Sequence, residues 1–185
     1  MPPALVPPAR PRPLFAALLC TLLGLAGAAA PAGYYPQAAG TAWSYSNGER
    51  QVLGAPATYR GVGVVPLSHV LGRVLVSQDL LEYRADGSVW LRGLHTGKEL
   101  RWYASPLLVY PAGPLQPGQS WRSGGRTVQV TGVQGVTTPA GTFNALVLRT
   151  QEAGSPAQDT FFVPGVGVVR YRTADGRTTD LTARR

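Results

Sequence analysis

Cysteine is almost missing: Cys20 stands alone in 185 residues, which excludes a disulfide framework and any multi-cysteine metal site. Two histidines exclude a histidine-rich cluster. Charge is sparse at 14% of residues, and Lys98 is the one lysine beside sixteen arginines. The 23 glycines and 17 prolines show no Gly-X-Y period, which excludes collagen and implies many turns. With 44% hydrophobic residues, the chain has the composition of a globular protein and not of a disordered one.

What is present begins with a leader pattern. Met1–Pro13 carries Arg10 and Arg12 without an acid, and Leu14–Ala30 follows as seventeen uncharged residues ending in alanine and glycine. A basic start, an apolar middle and a small-residue exit describe a secretory signal peptide. Residues 1–32 are read as that signal helix, cleaved between 26 and 32, with Ala26-Gly27-Ala28 and Ala30-Pro31-Ala32 as the small-residue frames. Retention as an N-terminal membrane anchor is the alternative, since seventeen residues lie at the short end of a bilayer span. Leu19 precedes Cys20 where a lipidated cysteine has a small neighbour, so Cys20 is read as part of the apolar segment. The expected location is outside the cytoplasm, periplasmic or extracellular.

The formal charge of +8 becomes +6 without Arg10 and Arg12. Its arginines are scattered, the densest groups being Arg170 with Arg172 and Arg184 with Arg185. A nucleic-acid binder gathers its cations on one face to follow phosphates, so no nucleic-acid partner is expected. Membrane contact is expected only through the leader or through surface charge.

Beyond Tyr34 the chain is a succession of short runs rich in Val, Leu, Tyr, Trp and Thr, separated by glycine-containing turns. No stretch offers a clean helical stripe with cap and stop. The nearest, Leu67–Tyr83, contains Gly72 and several β-branched residues and reads as strand. Two Ala-Asp-Gly turns, at Arg84–Ser88 and Thr173–Arg177, fit three-residue hairpin loops. The first sets Tyr83 opposite Val89 and Leu81 opposite Leu91; the second sets Val169 opposite Leu181 and Arg170 opposite Asp180. A two-residue turn at Thr96-Gly97 sets Leu91 opposite Trp102. Phe143–Arg149 is apolar on both faces and calls for cover on both sides. The expectation for residues 33–185 is one all-β domain: a strongly twisted antiparallel meander of about ten strands, closing as a barrel, half-barrel or sandwich. The runs expected as strands include 58–65, 69–77 and 79–84.

Two short patterns occur twice. Gly40-Thr41-Ala42-Trp43 returns as Gly118-Gln119-Ser120-Trp121, each behind a Tyr-Pro, and Gly61-Val62-Gly63-Val64-Val65 returns as Gly165-Val166-Gly167-Val168-Val169. Their offsets differ, so they read as one local solution used twice and not as a repeat array.

Chemistry-bearing motifs are scarce. The Gly-Val-Gly runs lack the third glycine and the helix of a dinucleotide fingerprint. Gly118–Arg122 lacks the last glycine and the helix of a nucleophile elbow. His69 and His95 are 26 residues apart with no second ligand spacing, and no carboxylate pair is singled out. No metal, cofactor or catalytic residue is assigned. The remaining candidates are Trp43, Trp90, Trp102 and Trp121, which line a cavity for an apolar ligand or fill the core. Trp90 faces away from the Leu81–Leu91 side and is read as core in a second layer.

Gly118-Gln119-Ser120-Trp121, Thr138-Pro139-Ala140-Gly141-Thr142-Phe143 and Phe161-Phe162-Val163-Pro164-Gly165-Val166-Gly167-Val168-Val169, in that order, resemble a family of secreted bacterial proteins and lipoproteins. Its members carry G-x-x-W, V-P-A-G-T-F and P-G-V-G-x-V motifs. Thr138 stands where the family has valine, and the lipidation motif is missing. The resemblance implies a curved-sheet envelope protein, comparable to lipoprotein carriers, with no catalytic residues to carry over. Pro139, Gly141 and Phe143 then shape a turn and start a strand, while Pro164, Gly165 and Gly167 bend another. The functional expectation is a non-enzymatic envelope protein that binds an apolar small molecule, a lipid or another envelope protein. A lipid or lipoprotein carrier and an envelope hydrolase with unidentified acids are the alternatives.

Overall fold

Both Ala-Asp-Gly segments close hairpins in the expected register. In the computed structural model, which describes residues 33–185, Gly87 and Gly176 hold φ of 84° and 83°, Tyr83 pairs with Val89, and Arg170 pairs with Asp180. The leader, its cleavage frames and Cys20 lie outside the described residues. The strands are β1 (Ala42–Tyr45), β2 (Glu49–Leu53), β3 (Ala57–Tyr59), β4 (Val62–Leu71), β5 (Val74–Tyr83), β6 (Val89–Thr96), β7 (Glu99–Tyr110), β8 (Ser120–Ser123), β9 (Arg126–Thr138), β10 (Gly141–Glu152), β11 (Gln158–Val163), β12 (Gly167–Arg172) and β13 (Thr178–Arg184). No helix occurs among the described residues.

All strands join one antiparallel sheet in the order β7-β6-β5-β4-β2-β1-β13-β12-β11-β10-β9-β8, with β3 pairing outside this path on β4. The first and last strands of the chain therefore meet in the middle. The twist of so long a sheet brings its edges β7 and β8 round to face each other. A Cβ on Gly124, in the β8–β9 turn, would sit 2.9 Å from Leu107 Cδ2 of β7. The result is a nearly closed barrel with one seam that is not hydrogen-bonded.

Two six-stranded meanders follow each other in the same sense around this barrel, β1 to β7 without β3 and then β8 to β13. Each opens on the same local geometry. Gly40 N–H donates to Leu53 O, Leu53 N–H to Thr41 O and Thr41 N–H to Ala38 O; Gly118, Val130, Gln119 and Gln116 repeat the three bonds. Both glycines need positive φ, 85° and 88°, and both following tryptophans are buried. The two Tyr-Pro segments meet: the Tyr35 and Tyr110 rings stack at 4.7 Å, and Tyr35 OH donates to Pro111 O at 3.1 Å. The recurring sequence pattern is thus a recurring structure.

Strand β10 is covered on both faces, as its composition demands. Leu146 and Leu148 join a core inside the barrel with Tyr34, Tyr35, Leu81, Trp121, Val130 and Phe162. Ala145 and Val147 join a second core with Trp43, Tyr45, Leu53, Val136, Phe161, Val169 and Leu181. The β9–β10 hairpin closes this second core by folding back at the register shift beside Val147: Ala140 N–H donates to Leu181 O and Arg170 Nη2 to Thr137 O. Pro139 sits in that hairpin's turn, and Gly141, with φ 137°, opens β10 opposite Thr138. Gly165 (φ 73°) donates its N–H to Tyr34 O. Gly167 lies beneath Trp43, whose Nε1 donates to Val166 O at 2.7 Å.

Three expectations change. The stretch 58–84 forms three strands with a tight turn at Gly72-Arg73 (Gly72 φ 61°), so the boundary expected between 77 and 79 falls inside β5. Strands β2 and β8 fall outside the expected runs, and the expected run 58–65 is divided between β3 and β4. The β6–β7 turn lies at Gly97-Lys98, so Trp102 pairs with Gly93, and Leu91 pairs with Leu107 beyond a register shift. Extra residues in β7 between these pairs restore the inward face, which a two-residue turn by itself does not predict.

Candidate functional site

The inward residues of β5–β7 and β8–β11 do not meet across the seam. Between them lies an open cavity of about 480 Å³, within the range of small-molecule sites. Leu91, Leu94, Leu107, Leu108, Val128, Leu148 and Trp121 form its apolar lining; Asp79, Ser123, Arg126, Thr150 and Thr160 contribute polar groups. Alternation supplies the apolar side: Trp121 pairs with Val128, and Leu148 pairs with Val130. Ser123 and Arg126 flank the turn 124–125 and Thr150 pairs with Val128 close by, so this end of the cavity is amphipathic.

Aromatic rings line its opposite end. Tyr110 lines this cavity and also a smaller one of about 80 Å³, shared with Trp43, Tyr45, Gln51 and Phe162. Tyr110 stacks on Tyr35 and lies 5.2 Å from the Phe162 ring. Burial pushes the Tyr35, Tyr83 and Tyr110 phenols up, so they remain hydroxyl donors. Tyr83 OH donates to Pro36 O at 2.6 Å, and Leu115 N–H donates to Tyr34 OH at 2.9 Å. Tyr34, Tyr35 and Tyr83 thus each have a hydrogen-bonded hydroxyl at this end.

The four tryptophans do not share a site. Trp121 lines the larger cavity, is buried, and keeps an indole N–H with no acceptor among the described residues. Trp43 lines the smaller cavity. Trp90, expected in a second core layer, is instead half-buried, with the Arg84 guanidinium 4.2 Å above its ring and its Nε1 donating to Ser88 Oγ. Trp102 is flanked by Arg92 and Arg60 at 5.3 and 5.9 Å and crosses over Gly93, where a Cβ would meet Arg101 O at 2.8 Å. Neither Trp90 nor Trp102 lines the two cavities.

A polar cluster that the sequence reading did not find sits beside the larger cavity. His69 Nδ1 lies 2.8 Å from Glu49 Oε1, and Nε2 lies 3.2 Å from Asp79 Oδ2. Gln51 Nε2 donates to Glu49 and to Tyr171 OH. Burial opposes a charged imidazole here, but the hydrogen bonds and charges of Asp79 and Glu49 outweigh it and raise the His69 pKa. Burial likewise opposes the Glu49 carboxylate, and the bonds from His69 and Gln51 overcome it, so Glu49 lies below its ordinary value. Both ring nitrogens are occupied by carboxylates, which leaves neither to accept a proton from a substrate. A lowered Glu49 is also the reverse of what a glycosidase proton donor needs. No group of three or more His, Cys, Asp or Glu among the described residues is arranged to hold a metal ion.

No protein-family model and no curated protein matches the chain. Among solved structures, a Bacteroides fragilis protein with a YmcC-like fold, provisionally described as exported, is similar at 12% identity and a TM-score of 0.45, covering 82% of this chain and 98% of its own. A Parabacteroides distasonis protein, provisionally described as a lipoprotein, is similar at 14% identity and a TM-score of 0.46, with the same coverage. Likenesses at this level assign neither a family nor a function to this chain.

Proposed function

We propose that this is an exported, non-catalytic β-barrel that binds one amphiphile, a lipid or another apolar chain with a polar end, in the cavity beneath the β7–β8 seam. The observation that carries the reading is the seam itself: a cavity of about 480 Å³ with Leu91, Leu107, Leu108 and Leu148 in its wall. A barrel serving only as scaffold fills such a space with side chains. An acyl chain removes that wall from water, at roughly 25 cal/mol for each Å² of apolar surface covered. Ser123, Arg126 and Thr150 supply donors for a polar end, and Arg126 also holds Glu152 at 3.0 Å. Export rests on the leader pattern of residues 1–32 and on a cysteine count that leaves no thiol after Cys20.

The test is titration with a dansylated undecanoic acid. Its emission should rise and shift to the blue with the wild-type protein. Val128→Trp, which fills the cavity from its wall, should abolish the change while leaving the far-ultraviolet circular dichroism intact. A silent probe, or an equal response from the Val128→Trp variant, refutes the reading.

A further inference from the structure

A soluble sheet normally hides its aliphatic residues on one face, yet the β4–β5 hairpin shows them on every side. Leu71, Val74, Leu75 and Val76 are 52, 65, 49 and 52% exposed, four of the five large hydrophobic side chains so exposed among the described residues. Two features of the register produce this. On one side β6 begins pairing with β5 only at Gln78, opposite His95, so residues 74–77 project beyond it. Within the hairpin, the shift between His69 and Val70 leaves Val76 without a partner, which turns consecutive side chains outward. The His69 clamp ties the base of the projection to β2 through Glu49 and to β5 through Asp79. An apolar ribbon on a fixed base is not a frayed end.

Its electrostatic setting identifies what covers it. Arg73 lies in the hairpin turn itself, Arg50 is exposed on β2 opposite Val70, and Lys98 is exposed in the neighbouring β6–β7 turn. The carboxylates nearest the hairpin, Glu49 and Asp79, both face His69, and Glu99 is the one exposed acid beside Lys98. Two copies meeting through this end would bring the same cations together. A bilayer with anionic headgroups attracts those cations and accepts the four aliphatic side chains. Shallow seating also suits residues 74–77, whose outer backbone edge faces away from β4 and needs water or headgroups as hydrogen-bond partners.

We infer that the β4–β5 hairpin tip docks this protein on an anionic lipid surface, with Leu71, Val74, Leu75 and Val76 seated among the headgroups and Arg73, Arg50 and Lys98 held to lipid phosphates. The hairpin stands at the same end of the barrel as the polar part of the cavity lining. The docking does not depend on the cavity holding a ligand.

The experiment uses the full chain with Cys20→Ser and Leu75→Cys, so that residue 75 carries the only thiol, labelled with an environment-sensitive nitrobenzoxadiazole. Vesicles of phosphatidylglycerol and phosphatidylcholine should shift the label to the blue and brighten it. The same label at Ala85→Cys, in a turn at the opposite end, should remain in water even if the leader is embedded. Arg73→Glu should weaken the response roughly tenfold in lipid concentration, as should adding Leu71→Ser. A label at 75 that stays in water with these vesicles overturns the inference. So does an equal response at 85, or a shift that appears without vesicles and grows with protein concentration, which would mark self-association.

Discussion

The Gly-Val-Gly-Val-Val segment occurs twice, and its two central glycines should respond to alanine in opposite ways. Gly167 has φ 104°, and a Cβ there would stand 3.0 Å from Trp43 Nε1 and 3.2 Å from Cε2. Gly63 has no positive φ, and nothing lies within 4 Å of where its Cβ would be. Gly167→Ala therefore carries the backbone cost of a left-handed alanine, about 1–3 kcal/mol. It also displaces a buried indole whose N–H donates to Val166 O at 2.7 Å, and a buried donor left without its acceptor costs about 1–3 kcal/mol more. The expected loss is roughly 3 kcal/mol, which for a domain of this size lowers Tm by about 6–12 °C. Gly63→Ala should leave Tm unchanged or raise it, since it chiefly restricts the unfolded chain. Urea and thermal unfolding followed by tryptophan fluorescence and near-ultraviolet circular dichroism read both variants. Trp43→Phe in the Gly167→Ala background should recover part of the loss, because the clash and the orphaned N–H vanish together. Equal Tm values for the two alanine variants would refute the assignment of Gly167 to the floor beneath Trp43.

Other outcomes follow from the charged clusters. The Arg149 hydrogen bond holds the buried Asp159 carboxyl below the usual range, burial opposes this, and Arg172 reinforces it. Its contribution is therefore present above the unfolded pKa and is lost as pH falls through the folded value. Asp159→Asn should cost about 1–3 kcal/mol near neutral pH and almost nothing in strong acid, read as a flattened acid limb in urea midpoints. The raised pKa of His69 gives the opposite slope: stability from the clamp is full below the unfolded value and drains away as pH rises through the folded one. His69→Gln should thus lower the urea midpoint most below about pH 6 and converge on wild type in alkali, and a pH-independent difference would contradict the clamp.

Local chemistry made part of this structure readable. Asp-Gly in a three-residue loop fixes a register by itself, and both such hairpins follow. The doubly apolar face of Phe143–Arg149 announces a strand with cover on each side, which the two cores provide. The remainder depends on long-range geometry. Gly72 argued against a helix but did not announce a hairpin, because Pro66 and His69 interrupt the alternation around it. The β6–β7 register is set by extra residues in β7 that carry no turn signal. Of the tryptophans, Trp43 and Trp121 face the interior and Trp90 and Trp102 lie under arginines, a division governed by barrel closure. His69 is clamped from residues 20 and 10 positions away on neighbouring strands, so no spacing motif marks it. The cavity exists because β7 and β8 approach without pairing, a property of the whole sheet.

Native mass spectrometry of the protein purified from the cell envelope in mild detergent tests the ligand site most directly. A single added mass of amphiphile size on the wild-type chain, missing from Val128→Trp purified in parallel, is the predicted result. A bare wild-type chain, or equal occupancy in both preparations, would contradict it.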